Sequence, residues 1–292
     1  MREKRIAAGT GESSVDWYRE IGEIIGDLGS ERLPERLIGG LRRLVPFDLA
    51  AIFVYRGRSR PLPIYDDFEP AAFKKGIAAY VESTYVLNPF YQAYLKGIRP
   101  GVYRIRDLAP DAFFESEYYR SHRVSPRPTE EIGFVTENWP EGMEEVEIVV
   151  GLDGEAVAEI CLLRRLRGRG FSDRELDRFL TVQPVVGALL RKYWAEFSTA
   201  GSGAPLPDSR VDDAFASFGM SVLTERECEV VRLILRGHSS ESIGYNLRIS
   251  LGTVKTHRRN AYAKLGICSQ SEVLSLFLRS LQMSEPRPLP SP

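Results

Sequence analysis

The side chains with the plainest chemistry lie between residues 250 and 264. Lys255, Thr256 and Arg259 fall at i, i+1 and i+4, so on a helix they share one face, away from Val254, Ala261 and Leu265. Lysine and arginine so placed can donate to the O6 and N7 edge of guanine in a DNA major groove. Arg258 and Lys264 add positive charge, and Thr253 adds a hydroxyl at the helix start, where free backbone N–H groups favour phosphate. A run of charge is as often a solvated helix face, so charge alone leaves both readings open.

The surrounding pattern positions that face. Residues 223–281 read as four short helices. Thr224-Glu-Arg-Glu227 is a capping box that opens the first, and Gly237 ends it. Ser239 or Ser240 caps the second, which carries Ile243 and Leu247. Arg248 to Gly252 is a tight turn before a third helix from Thr253 to Leu265. Ser269-Gln-Ser-Glu272 opens the fourth, with Leu274, Phe277, Leu278 and Leu281 on one stripe.

Leu223-Thr-Glu-Arg-Glu227, Gly237, Ile243, Leu247, Ile249-Ser250, Thr253-Val-Lys-Thr-His257 and Lys264-Leu-Gly266 together closely resemble the LuxR-type helix-turn-helix signature. The resemblance implies a bacterial transcription regulator that binds double-stranded DNA as a homodimer, on a roughly palindromic operator. RNA polymerase is a further candidate partner. It implies that the third helix reads the groove, with Lys255, Thr256 and Arg259 at base-facing positions and Thr253, Ser250 and His257 near phosphates. It also implies that the fourth helix pairs two copies through an exposed stripe of Leu274, Phe277, Leu278 and Leu281. Gly244 departs from the alanine usual in the family, at a helix cost of about 1 kcal/mol.

The remainder reads as an α+β unit. Two helices over 15–45 bear the stripes Tyr18, Ile21, Ile25, Leu28 and Leu33, Leu37, Leu41, Leu44. Strands follow at 47–55 and 61–65, then helical segments over 69–97 interrupted at Asn88-Pro89, and an extended piece at 102–105. A short helix over 110–122 precedes strands near 132–137, 145–151 and 156–163, the last two joined at Asp153-Gly154. Ser172-Asp-Arg-Glu175 caps a long helix through Phe197 that contains Pro184. This order predicts an antiparallel sheet with flanking helices, similar to PAS-like and GAF-like sensor domains, joined to an all-α four-helix DNA-binding domain. The boundaries are 15–197 for sensing and dimerisation, 198–218 for a linker rich in small residues and proline, and 219–283 for DNA binding.

Ten aromatics crowd the 40 residues from Tyr80 to Tyr119, and seven are tyrosines, whose hydroxyls need partners when buried. A pocket for a small-molecule effector fits, lined by Tyr80, Tyr85, Asn88, Phe90, Tyr103 and Phe114. A dimer interface or ordinary packing would also account for the rings. Asn88-Pro89 and Pro100-Gly-Val-Tyr103 faintly resemble the acyl-homoserine-lactone sensor domain, although that family has Asp-Pro and a tryptophan at these points.

Composition removes other classes. Residues 219–283 hold nine basic against five acidic side chains while the whole chain has a net charge of −1, so the basic excess is confined to the predicted DNA-binding end. No apolar run approaches the roughly 18 residues of a membrane span, and residues 1–14 lack a secretory apolar core. Cys161, Cys228 and Cys268 form no disulfide framework and no CxxC metal spacing, which points to a reducing cytoplasm. No nucleophile–base motif, metal cluster or cofactor motif is present, so an enzyme fused to a DNA-binding tail is the remote alternative.

Overall fold

The computed structural model describes residues 11–69, 71–116, 143–165, 170–199 and 210–283. Its first elements are α1 (Gly11–Gly26), α2 (Leu33–Leu44), β1 (Leu49–Arg56) and β2 (Leu62–Asp66). Next come α3 (Ala71–Glu82), a 3-10 turn (Thr84–Leu87), α4 (Pro89–Leu95), β3 (Gly101–Arg104) and the short α5 (Ile105–Leu108). They are followed by β4 (Met143–Gly151), β5 (Ala156–Arg165) and the long α6 (Asp173–Thr199). Five helices complete the described residues: α7 (Arg210–Ser217), α8 (Glu225–Leu235), α9 (Ser240–Leu247), α10 (Leu251–Leu265) and α11 (Gln270–Met283).

The strands form one sheet in the order β2-β1-β5-β4-β3, antiparallel at every pairing. The expected α+β architecture is therefore present, together with the helical C-terminal unit. β1 is buried along its length except at Arg56, which is why its sequence is a continuous apolar run rather than an alternation. The β4–β5 hairpin turns at Gly154 and Glu155, both with positive φ, a conformation that glycine enters without a Cβ clash. Ser172 donates its N–H and its hydroxyl to Glu175, the expected capping contact at the start of α6.

The two sheet faces differ. Ala50, Ile52, Val54, Val146, Ile148, Val150 and Ile160 face α1, α2 and α6 in a fully apolar core. The opposite face carries Ala51, Phe53, Tyr55, Val149 and Cys161 and packs under α3, α4 and α5. Of the four residues in the first expected stripe, Ile21 and Leu28 pack on the core, and the other two are replaced by their neighbours on α1. Trp17 and Ile24 are buried, whereas Tyr18 and Ile25 are exposed, because the large indole takes the inward position.

The stretch expected to be linker contains α7. Val211 and Phe215, at i and i+4, sink into the same apolar cluster as Tyr85 and Tyr91 of the N-terminal unit and Phe277 of α11. The two units thus share a core. The strand expected near 132–137, with Tyr118, Tyr119, His122 and Trp139, lies outside the described residues, as do 200–209 and 284–292. Among the described residues no helix is long and apolar enough to cross a membrane.

Candidate nucleic-acid interface and sensor face

The C-terminal helices assemble around Val230, Ile234, Ile243 and Val254. Thr224 and Glu227 form the complete capping box of α8. Glu227 is buried and also accepts from Lys264 Nζ at 2.7 Å, which ties α8 to α10. That bond, helped by the Thr224 N–H, holds the Glu227 carboxyl below its ordinary range. Ser239 caps α9, and Arg248, with φ +54, turns the chain towards α10.

α10 begins at Leu251, two residues before the expected Thr253. The reason is Ser250, whose hydroxyl accepts from the Thr253 N–H and so acts as N-cap. Lys255, Thr256, Arg258 and Arg259 are all exposed, as are Ser250 and Thr253, while His257 is half-buried. Val254 and Ala261 point inward, as the spacing required. A basic face therefore stands free on a helix held from behind by an ion pair and an apolar core.

The stripe on α11 is not free. Phe277 is fully buried, Leu274 and Leu278 are nearly so, and Leu281 is partly covered. Phe215 and Phe218 meet the Phe277 ring edge-on at 5.3 and 5.4 Å. The stripe expected to be exposed is instead packed within the chain, with Phe215 of α7 and Phe218 against Phe277.

α7 also reaches the aromatic segment. Tyr91 and Tyr85 donate to Asp212 Oδ2 at 2.7 and 3.1 Å, and Arg58 lies 3.9 Å from the other oxygen. Burial raises the Asp212 carboxyl above its usual range despite these donors, and burial also pushes both phenols up. Arg236 stacks over Phe215 at 4.7 Å, and burial lowers its guanidinium to about 10. A second contact joins the units at the end of α8. The Ala112 N–H donates to Gly237 O at 3.1 Å, and the Ser239 N–H donates to Asp111 Oδ1 at 3.0 Å. The Ser239 hydroxyl bonds the other Asp111 oxygen, so a carboxylate of the N-terminal unit sits at the N-terminus of α9.

The six residues proposed to line a pocket are only partly gathered. Tyr80, Tyr85 and Phe90 are buried in one cluster, ring against ring with Phe53, Tyr55 and Tyr91. Tyr103 and Phe114 pack on its margin, and the Tyr103 hydroxyl donates to Arg99 O. Asn88 Oδ1 accepts from the Phe90 N–H as the cap of α4, so its oxygen is engaged. Sequence reasoning missed Asp111, Asp212 and Arg236. The i, i+4 pair Val211 and Phe215 was the available signal for α7, obscured by the proline-rich stretch before it.

The profile described as "Bacterial regulatory proteins, luxR family" matches residues 221–277. A transcriptional regulator of the helix-turn-helix type, encoded in the exeN 3' region of Aeromonas salmonicida, is 32% identical over 201 residues, which are 66% of this chain and 94% of that protein. The chain belongs to the luxR family of bacterial regulatory proteins. As a luxR-family member it is a DNA-binding transcription regulator and not an enzyme. The regulator MalT of Yersinia pestis is 43% identical over 132 residues, 45% of this chain and 14% of MalT. Among solved structures, the LBD domain of VqsR from Pseudomonas aeruginosa superposes with a TM-score of 0.48 at 24% identity, covering 62% of this chain and 96% of that one. SdiA of Escherichia coli gives 0.38 at 16% identity, with 91% and 98% covered.

Proposed function

We propose that this luxR-family regulator reads an operator by laying α10 in the major groove. In this reading Lys255, Thr256 and Arg259 face base edges, and Arg258, Thr253, Ser250 and His257 contact the phosphates beside them. The exposed basic face of α10 is the observation that carries the proposal. Lys255→Ala and Arg259→Ala should each weaken binding to a selected operator by about 1–3 kcal/mol and relax base preference, read by fluorescence anisotropy at fixed salt. Wild-type affinity in both variants would overturn the groove assignment.

The family's two-fold habit suggests a homodimer. With the α11 stripe covered, α6, where Leu180 is exposed, is the better pairing surface. Residues 15–197 then act as a small-molecule sensor, 198–218 as a connector containing α7, and 219–283 as the DNA-binding unit. The effector enters between the sheet and the α3–α4 segment, and the packed rings must part to admit it. A compound that raises Tm stoichiometrically and shifts operator affinity supports this reading. A sensor unit whose removal leaves DNA affinity and its regulation unchanged refutes it.

A further inference from the structure

On the sheet face beneath α3 and α4, the paired strands β4 and β5 place three carboxyls and a thiol together. Glu147 lies directly opposite Cys161, Glu145 is diagonal to Cys161, and Glu159 is diagonal to Glu147. Glu147 is completely buried, Glu159 and Cys161 are 2% and 3% exposed, and neither oxygen of Glu147 has a hydrogen-bond partner among the described residues. Its neighbours Glu145 and Glu159 are themselves acceptors, so a bond among the three requires an added proton. Cys161 Sγ donates to Glu145 Oε1 at 3.1 Å, and one ligand atom from each of Glu145, Glu147 and Cys161 lies within 4.8 Å of the others.

An unpaired carboxylate in an apolar interior is among the costliest arrangements a fold can hold, and positive charge must reach it. Protons are one source. Burial and mutual repulsion raise Glu147 well above its ordinary range, and burial lifts Glu159 to about 8. The thiol points to a second source. Ligands about a zinc-sized ion sit roughly 2.0–2.3 Å from it, and so about 3.5 Å from one another. The three donor atoms need only small side-chain rotations to meet that spacing, and mixed sulfur and carboxylate donors suit a soft-to-borderline divalent ion.

We propose that Glu145, Glu147 and Cys161 bind one thiophilic divalent metal ion of the zinc class, with Glu159 and Tyr55 as its outer shell. Tyr55 already donates to Glu159 at 2.5 Å and touches the Tyr80 hydroxyl at 2.6 Å, so the outer carboxyl is oriented in advance. On binding, the thiol S–H bond is exchanged for a sulfur–metal bond. The thiol proton, and any proton shared between the carboxyls, leaves to solvent with no change of oxidation state. Two carboxylates and a thiolate then face two positive charges, and the orphaned oxygens of Glu147 acquire a partner.

The test uses the full chain, stripped with chelator and titrated with zinc(II) alone by calorimetry in two buffers of different ionisation enthalpy. Binding of one ion per chain with proton release is expected. Cobalt(II) should give thiolate-to-metal absorption in the near ultraviolet. Cys161→Ser should abolish that band, and the isosteric Glu147→Gln should weaken zinc binding at least about a hundredfold while raising the Tm of the metal-free protein. Cys268→Ser, at an exposed thiol, should change nothing. Absence of binding overturns the proposal, as does binding that survives both Cys161→Ser and Glu147→Gln or is lost in Cys268→Ser.

Discussion

Replacing Asp212 with alanine probes the junction between the sensor unit and the DNA-binding helices. The carboxylate accepts from two phenols whose rings are wholly buried, so its removal leaves two hydroxyls without a partner. Each hydrogen bond to a charged acceptor is worth about 1.5–3 kcal/mol, which gives roughly 3–6 for the pair. The alanine variant also escapes the cost of burying a carboxylate, a cost visible in the raised Asp212 carboxyl. Arg58 adds little, being 66% exposed and 3.9 Å away. The net loss should be about 2–3 kcal/mol. Urea unfolding measures it with two probes. All three tryptophans, Trp17, Trp139 and Trp194, precede residue 200, so fluorescence follows the sensor unit, whereas far-ultraviolet circular dichroism follows helices in both. The wild type should unfold in one transition by both probes, because the units share a core. In Asp212→Ala the probes should separate as the DNA-binding helices come loose. A cycle with Tyr91→Phe should return at least about 1 kcal/mol of coupling. Strict additivity, or coincident transitions with a loss under about 0.5 kcal/mol, would refute this account of the junction.

Gly237→Ala should lower Tm in the full chain, because φ is +87° and a Cβ there would lie 2.6 Å from Phe113 Cα; an unchanged Tm would show that the end of α8 is not held against the sensor unit. Glu227→Gln should destabilise the protein by about 1–2 kcal/mol at neutral pH, since the amide keeps an oxygen for the Thr224 N–H but gives up the Lys264 ion pair. The Glu227 carboxyl is depressed in the fold, so its stabilisation is complete above the ordinary glutamate value of 4.5 and fades as pH falls through the lowered one. Wild type and Glu227→Gln should therefore converge in acid, and a gap that stays constant with pH would contradict the ion pair.

Local chemistry was well marked in the sequence. Thr224, Ser239 and Asn88 cap helices through their side chains, and Glu175 accepts the Ser172 N–H as one half of the implied capping box. β1 was identifiable from its unbroken apolar run, and the β4–β5 hairpin from Asp153-Gly154. Tertiary choices were not. Nothing local decides whether Phe277 meets a second copy or Phe215 of the same chain, because an apolar stripe reports only that it will be covered. The start of α10 moved for a related reason: Ser250 and Thr253 are both competent caps, and the hydroxyl that reaches the Thr253 N–H prevails. The acidic cluster was invisible because its members sit at 145, 147, 159 and 161, a spacing with meaning only once β4 and β5 are in register.

The tyrosine-rich segment gains a physical account from where its hydroxyls go. Tyr80 meets Tyr55, and through it Glu159, on the sheet side. Tyr85 and Tyr91 meet Asp212 on the side of the DNA-binding helices. Tyr94 and Tyr103 satisfy themselves on the backbone of Gly57 and Arg99. The segment is therefore a wedge with one polar edge on the buried acids and the other on α7. The Tyr55 ring sits 5.3 Å from Phe90 and 6.0 Å from Tyr91, so the two edges are in van der Waals continuity. An effector seated beneath the wedge, as the proposed sensor role requires, cannot part these rings without straining the bonds to Asp212. A tenfold change in DNA affinity needs about 1.4 kcal/mol of coupling, less than the worth of one such charge-assisted bond. The stiff route through Tyr91 and Asp212 can supply that difference, and the small-residue stretch before α7 need transmit nothing.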